Sequence, residues 1–223
     1  NADFNSEQSD FGGTMHDGKL FITSGRNDSR KTYGWNGQPF LDIYSMTKNS
    51  DGSYQAATLA NDKINTRFHE GLVSFTPDGK TMYFSRNNFL NDKKTEDEKG
   101  IMHVGIYSAE LVNGKWTNVK ASNLNNPNYI VYHPSISKDG KKLYFTATTS
   151  GNPEWEGAGI SELYVMAVMD RIVTKVDINN EWGLGFGGFK VFENGVLLNA
   201  AKGVLNPLVY VEQNKKGKWS QKT

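Results

Sequence analysis

The chain has 223 residues, with 25 basic and 24 acidic side chains, four histidines and no cysteine. A formal net charge of +1 gives no global attraction to nucleic acid or to an anionic membrane. The lack of cysteine excludes a disulfide framework and a thiolate metal site, and no run of 18 apolar residues is present to cross a bilayer as a helix.

In chain order, the first landmark is an apolar–Asn pair, Phe4-Asn5. It is followed by a turn dipeptide running into an apolar strand, Asp17-Gly18-Lys19-Leu20-Phe21-Ile22. Next come an apolar–Tyr strand at Ile43-Tyr44 and a second turn ending in an aromatic, Asp51-Gly52-Ser53-Tyr54. The series then restarts with Ile64-Asn65, Asp78-Gly79-Lys80-Thr81-Met82-Tyr83-Phe84, Ile106-Tyr107 and Asn113-Gly114-Lys115-Trp116. A third pass reads Leu124-Asn125, Asp139-Gly140-Lys141-Lys142-Leu143-Tyr144-Phe145 and Leu163-Tyr164. A fourth reads Ile178-Asn179, Asn194-Gly195-Val196-Leu197-Leu198, Val209-Tyr210 and Lys216-Gly217-Lys218-Trp219. The first turns recur at intervals of 61, 61 and 55 residues.

Asp-Gly and Asn-Gly favour positive φ, so Gly18, Gly79, Gly140 and Gly195 are expected in two-residue hairpins joining antiparallel strands. Each unit therefore reads strand a, hairpin, strand b, loop, strand c, hairpin, strand d. No segment has a 3.6-residue apolar period. Radially repeated four-stranded sheets make an all-β propeller, in which the short outer edges are protected. A β-sandwich would not explain the constant period. The expected blades cover residues 4–63, 64–123, 124–177 and 178–223 of a single propeller domain over 1–223.

The stretches Phe75–Phe84 and Ile136–Phe145 resemble the WD40-like PD40 repeat of TolB-type propellers. The run Ser29–Tyr44, with His69-Glu70-Gly71 and His133-Pro134-Ser135, resembles the propeller of Bacteroidota OmpA-family outer-membrane lipoproteins, some of them (PorE-like) part of type IX secretion machinery. The resemblance covers residues 4 to about 165. It implies a periplasmic, outer-membrane-associated propeller, with neighbouring domains that contact peptidoglycan or glycan and partners among the envelope proteins of the same complex. It also implies five or more blades, so four repeats read either as a closed ring or as part of a five- or six-bladed one. Beyond residue 165 the pattern weakens. Gly157–Glu162 replaces the family's Gly-Gly-Ser-Asp-like run, the turn around Met169-Asp170-Arg171 lacks glycine, and Asn199–Leu208 is short and apolar.

Chemistry-bearing motifs are few. Gly183-Leu184-Gly185-Phe186-Gly187-Gly188 matches G-x-G-x-x-G, but no helix follows to hold a pyrophosphate, so a turn between blades is expected. Glu154-Trp155-Glu156 carries two carboxylates without an enforced separation, and reads as a loop tip rather than a glycosidase pair. Asp92 to Lys99 is a mixed charge run without calcium-loop spacing. His16, His69, His103 and His133 have no zinc spacing. His69 and His133 are expected just before strand a of their blades, each imidazole bonding the backbone of a neighbouring blade.

The long insertions Arg26–Leu41, Asn87–Gly105 and Thr148–Ser161 all occupy the b–c slot, and b–c and d–a loops share one face of the propeller. Insertions confined to one slot mark the binding face of a repeat protein. The binding candidates are Tyr33, Trp35, Phe40, His69, Phe89, His133 and Trp155, as exposed aromatics and imidazoles at that face. The resulting expectation is a non-catalytic envelope scaffold without cofactor, metal or nucleic-acid partner. A propeller hydrolase or lyase and a TolB-like adaptor are the alternatives.

Overall fold

The computed structural model describes residues 2–34, 36–61, 63–148, 161–176, 183–201 and 207–222. Its first sheet is β1 (Asp10–His16), β2 (Lys19–Ser24), β3 (Asp42–Thr47) and β4 (Thr58–Leu59), antiparallel in that order. The second is β5 (Glu70–Phe75), β6 (Thr81–Asn87), β9 (Val104–Val112) and β10 (Lys115–Ala121). A small hairpin, β7 (Phe89–Leu90) with β8 (Lys93–Lys94), stands between β6 and β9. The third sheet is β11 (Val131–Ile136), β12 (Lys142–Thr148), β13 (Ser161–Ala167) and β14 (Val173–Lys175). The fourth is β15 (Gly183–Val191), β16 (Gly195–Ala201), β17 (Leu208–Gln213) and β18 (Trp219–Lys222). The four sheets are the blades of a β-propeller, as the repeat requires.

Strand alternation gives a blade two apolar faces, and each of the first three blades packs one of them on the next blade in chain order. Leu20, Ile22, Tyr44 and Met46 on the first blade's other face are covered by its own Phe4, Tyr54 and Ala57. Phe21 and Ile43 of the first blade meet Val73, Met82, Phe84, Tyr107 and Trp116 of the second. Ile106 of the second meets Val131, Leu143, Phe145 and Met166 of the third. Leu163 and Val165 of the third meet Val196, Leu198, Val209 and Trp219 of the fourth. The apolar–Tyr landmark is now explained: in the second blade Ile106 points to the following blade and Tyr107 to the preceding one. The fourth blade departs from this rule. Val209 pairs with Leu198 on the face toward the third blade, so Val209-Tyr210 is out of phase with the other three pairs. A one-residue slip in a strand exchanges its faces, and this is where the sequence repeat had weakened.

The apolar–Asn landmark closes the first two blades. Asn65 accepts a hydrogen bond from Ile43 N at 2.7 Å and donates to Ile43 O at 2.9 Å. Asn125 does the same to Ile106, at 2.7 and 2.8 Å. The side-chain amide thus stands in for a strand neighbour beyond the end of the short outer strand.

The hairpins only partly match expectation. Asp17-Gly18 and Asn113-Gly114 are two-residue turns with both residues at positive φ. Gly79 and Gly140 are at positive φ (69° and 73°), but each ends a longer turn. Gly79 N bonds Thr76 O and Gly140 N bonds Ser137 O, with Asp78 and Asp139 bracing the loops from within. Proline at 77 suits the first corner of such a turn through its fixed φ, but Lys138 stands there in the third blade. What the two turns share is Asp78 or Asp139 accepting from the N–H of Lys80 or Lys141 and from the hydroxyl of Thr76 or Ser137. Gly195 is not at positive φ at all. A Cβ there would lie 2.2 Å from Val211 O, so close approach of β17 is what demands glycine. Gly79→Val is expected to cost about 1–3 kcal/mol through backbone strain. Its Cβ would also press on the His16 ring, 2.9 Å away. Urea unfolding of the variant checks this, and a midpoint equal to wild type would refute the assignment.

The inner strands share a feature absent from the sequence reading. Each a–b pairing shifts register once, and the strand carries a left-handed residue there: Gly12, Leu72, His133 and Gly188. These residues line a central cavity of roughly 820 Å³. Hydroxyls of the preceding blade hold two of them: Thr23 accepts from Leu72 N at 2.9 Å, and Ser85 from His133 N at 3.1 Å. The bulges are therefore inter-blade fastenings. The glycine-rich run 183–188 lies in β15 and carries the fourth bulge, which corrects its assignment to a turn between blades.

Candidate functional site

The b–c loop of the first blade is a braced hairpin rather than a loose insertion. Tyr33 N bonds Gln38 O at 2.7 Å, and Thr32 pairs with Pro39. Gln38 Oε1 accepts from the Ser9 hydroxyl at 2.6 Å. Beneath it, Arg30 donates twice to the buried Asp42 carboxylate, at 3.0 and 2.8 Å, and Asn27 adds a third bond at 2.8 Å. The hydrogen bonds to Asp42 raise the Arg30 guanidinium above its ordinary value.

The d–a linker of the second blade, Thr66-Arg67-Phe68-His69, lies against this hairpin. Leu41 N–H donates to His69 Nδ1 at 3.1 Å, which leaves the ring proton on Nε2. Burial lowers the His69 pKa to about 4, so the ring is neutral at neutral pH. The expectation that this imidazole bonds a neighbouring blade's backbone is met.

These segments build a ladder of rings. Tyr33 stands edge-on to His69 at 4.7 Å, and His69 lies 4.5 Å from Phe40. Phe40 is edge-on to Phe68 at 6.0 Å, and Phe68 meets Phe89 at 5.0 Å. The Arg67 guanidinium caps the far end, 5.4 Å over Phe68 and 5.1 Å over Phe89, with Lys94 Nζ 5.6 Å over Phe68. Of the sequence candidates, Tyr33, Phe40, His69 and Phe89 thus come together. Tyr33 is exposed, whereas Phe89 is only 6% exposed and folds back as part of β7, a correction to its place at a loop tip. Arg67 and Phe68 were missed. They sit in a d–a linker, the slot that shares a face with the b–c loops, and that was the available signal.

The other candidates go elsewhere. Trp35 and Trp155, with Glu154 and Glu156, lie outside the described residues. His133 is inside β11 and lines the central cavity, not the loop face and not a position before strand a. Its ring lies 4.1 Å from Tyr132, and burial lowers its pKa to about 4. His103 pairs with Asp97 at 2.9 Å, and Lys93-Lys94 form β8, so the charge run is partly ordered.

Below the ladder is a buried ionic group, also missed. Glu70 and Arg86 are 1% and 2% exposed, with Arg86 Nε 3.5 Å from Glu70 Oε1. Thr66 donates to Glu70 from its N–H at 3.0 Å and from its hydroxyl at 2.5 Å. Burial pushes the Glu70 carboxyl up to about 8, against the pull of Thr66 and Arg86. The first blade has a wetter counterpart in Ser6, Asp10 and Arg26, with Arg26 Nη2 2.9 Å from Asp10 Oδ1. There burial works to raise the carboxyl, but hydrogen bonds from Ser24, Arg26 and Ser6 outweigh it and hold Asp10 at about 2.

No protein-family model and no curated protein matches the sequence. Solved structures match in fold. A putative TolB from Agrobacterium tumefaciens is similar at 13% identity and a TM-score of 0.53, over 92% of this chain and 60% of that one. A puromycin hydrolase is similar at 12% identity and 0.58, over 97% of this chain and 31% of that one. A puromycin-hydrolysing peptidase from Mycobacterium tuberculosis is similar at 9% and 0.56, over 96% and 31%. The chain therefore spans less than two thirds of each of these proteins. The hydrolases correct one expectation from the sequence: this fold occurs in enzymes as well as in TolB, so neither the fold nor the lack of a catalytic motif makes the chain a non-enzyme.

Proposed function

We propose that this propeller is a protein-binding module of a cell-envelope protein, holding its partner by the loop face of the first two blades. The observation that carries the reading is the ladder Tyr33–His69–Phe40–Phe68–Phe89. It is set on a braced hairpin, with an exposed ring at one end and two cations at the other. Rigid aromatic rings bury large area with few rotamers to lose, which suits them to anchor a partner. The envelope setting is supported by the fold shared with TolB and by the resemblance of Ser29–Tyr44 and His69-Glu70-Gly71 to OmpA-family propellers. In this reading the protein works in the periplasm at the outer membrane, within a complex such as type IX secretion or gliding machinery, and neighbouring domains reach peptidoglycan.

The test is a Tyr33→Ala, Phe68→Ala variant compared with Lys216→Ala, which lies in the opposite, hairpin face. Partners are captured from envelope extracts, identified by mass spectrometry and then titrated as purified proteins. The double variant is expected to weaken binding by about 30-fold or more, following a loss of about 2 kcal/mol at an aromatic anchor. Lys216→Ala is expected to bind as wild type. Equal loss in both variants, or in neither, would overturn the assignment of this face.

A further inference from the structure

We infer that the loop face recognises an acidic, apolar-flanked peptide segment of its partner, through the Arg67 guanidinium. The inference rests on the reading of this face as a protein-binding surface.

Arg67 is exposed, and its guanidinium carbon stands 5.4 Å from the ring centre of Phe68 and 5.1 Å from that of Phe89. Among the described residues, no carboxylate and no carbonyl accepts a hydrogen bond from it. The buried and partly buried arginines of the first two blades are all engaged. Arg26 binds Asp10, Arg30 binds Asp42, and Arg86 binds the carbonyls of Lys63 and Ile64 beside Glu70. Arg67, by contrast, has two ring contacts and no acceptor among the described residues. Its neighbour Lys94 already has Glu96 at 3.5 Å, so the charge left over at this end of the ladder is that of Arg67.

A guanidinium in cation–π contact with rings still has its N–H groups free for a ligand. Its planar fork fits the two oxygens of a carboxylate. The rest of the ladder sets the flanking chemistry. Phe40 and Phe68 are half-buried rings beside the guanidinium, and Tyr33 is an exposed one. His69 is neutral, and its Nε2–H has no acceptor among the described residues. The surface thus offers one bidentate cation, an apolar strip and one neutral donor. A peptide with a Glu or Asp next to apolar side chains satisfies all three, whereas a basic or purely polar segment meets only the neutral donor, through a backbone or side-chain oxygen.

The test uses the full chain and a phage-displayed library of random twelve-residue peptides, followed by synthesis of the enriched peptides and titration. The expected result is enrichment of Asp or Glu flanked by apolar residues. Arg67→Ala should weaken a selected peptide at least tenfold. Replacing the peptide's acid with Gln should weaken it similarly, and the two changes together should cost little more than either alone. Arg67→Lys should recover only part of the loss. Selected peptides without an acid, no enrichment at all, or unchanged affinity on Arg67→Ala would each overturn the inference. Peptides lost on Phe68→Ala but indifferent to Arg67→Ala would sink the acidic specificity and leave the binding face standing. Indifference to both would sink the face as well. Arg67-dependent binding to vesicles of anionic phospholipid, with no peptide selected, would reassign the guanidinium to a membrane surface.

Discussion

Arg86→Ala is expected to destabilise the propeller by about 3–5 kcal/mol, as for truncating a large buried side chain that also satisfies buried backbone groups. The arginine donates from one Nη2 to the carbonyls of Lys63 and Ile64, and it packs 5.0 and 5.1 Å over Phe84 and Tyr107. Those rings belong to the core shared by the first two blades, so truncation opens a gap there as well as orphaning two carbonyls. For a domain of this size the melting temperature should fall by roughly 10 °C or more. The deficit should also depend on pH. Glu70 has a folded pKa of about 8 against an ordinary 4.5, so the folded state holds a proton that the unfolded state has released over that window. Its contribution is complete below pH 4.5 and is lost as pH rises through 8. Without the cation that pulls it down, Glu70 rises further, and the variant should lose more stability at pH 8 than at pH 5.5. Urea titrations at the two pH values measure this. A second variant, Arg86→Met with Glu70→Leu, should recover most of the loss because an apolar pair leaves no buried charge. A deficit below 1 kcal/mol, or one that is larger at pH 5.5, would contradict the account.

Arg26→Ala offers the contrast within the same molecule. Its partner Asp10 has a pKa of about 2 and four hydrogen-bonding contacts, and the guanidinium is 19% exposed. Water can replace the lost donor, so the cost should be about 1 kcal/mol.

The comparison of these two groups shows where sequence reading stopped. Landmarks held by strand alternation and turn chemistry were legible, because period-2 patterns and Asp-Gly dipeptides carry their meaning locally. Ile43-Tyr44 and Ile106-Tyr107 fall where the repeat puts them, and so do the turns at Gly18 and Gly114. The bulge at Leu72 and His133 was not legible, since leucine does not favour a left-handed φ, a lone histidine marks one only weakly, and the hydroxyl that holds each one comes from another blade. The ionic groups left a trace that was not read. Ser6 and Asp10, like Thr66 and Glu70, stand four apart just after the repeated Asn. The third blade has Asn126 and Ile130 in those places and lacks the carboxylate, which hid the pattern. On the loop face, large aromatics in the b–c slot pointed to the surface where the ring ladder stands. They could not reveal that Phe89 turns inward, nor that the d–a linker supplies Arg67 and Phe68.

Asn65→Ala is the second large effect, expected at roughly 2–4 kcal/mol. Ile43 is fully buried, and its N–H is bonded by the Asn65 amide oxygen at 2.7 Å. Removing the amide leaves that donor without a partner, at a cost of about 1–3 kcal/mol, and removes a further bond worth about 1 kcal/mol. Ile43 O would remain bonded, because Ala60 N also donates to it at 2.9 Å. The repeat supplies an internal replicate. Asn125 holds Ile106 in the same way, and Ser122 N takes the part of Ala60 N at 2.9 Å, so Asn125→Ala should cost a similar amount. Asn65→Asp separates the two halves of the interaction: it keeps an acceptor for Ile43 N, loses the donor to Ile43 O and buries a charge. It should be no more stable than Asn65→Ala at neutral pH and should gain on acidification, as a buried carboxylate that can protonate must. Denaturant midpoints for the three variants, with hydrogen exchange of the Ile43 and Ile106 amides, give the readout. The exchange should accelerate only in the blade whose Asn is changed, since the amide acts as a strand neighbour for that blade alone. Acceleration in both blades from one substitution would mean that the Asn holds the ring as a whole, and wild-type exchange in both would mean that it holds neither.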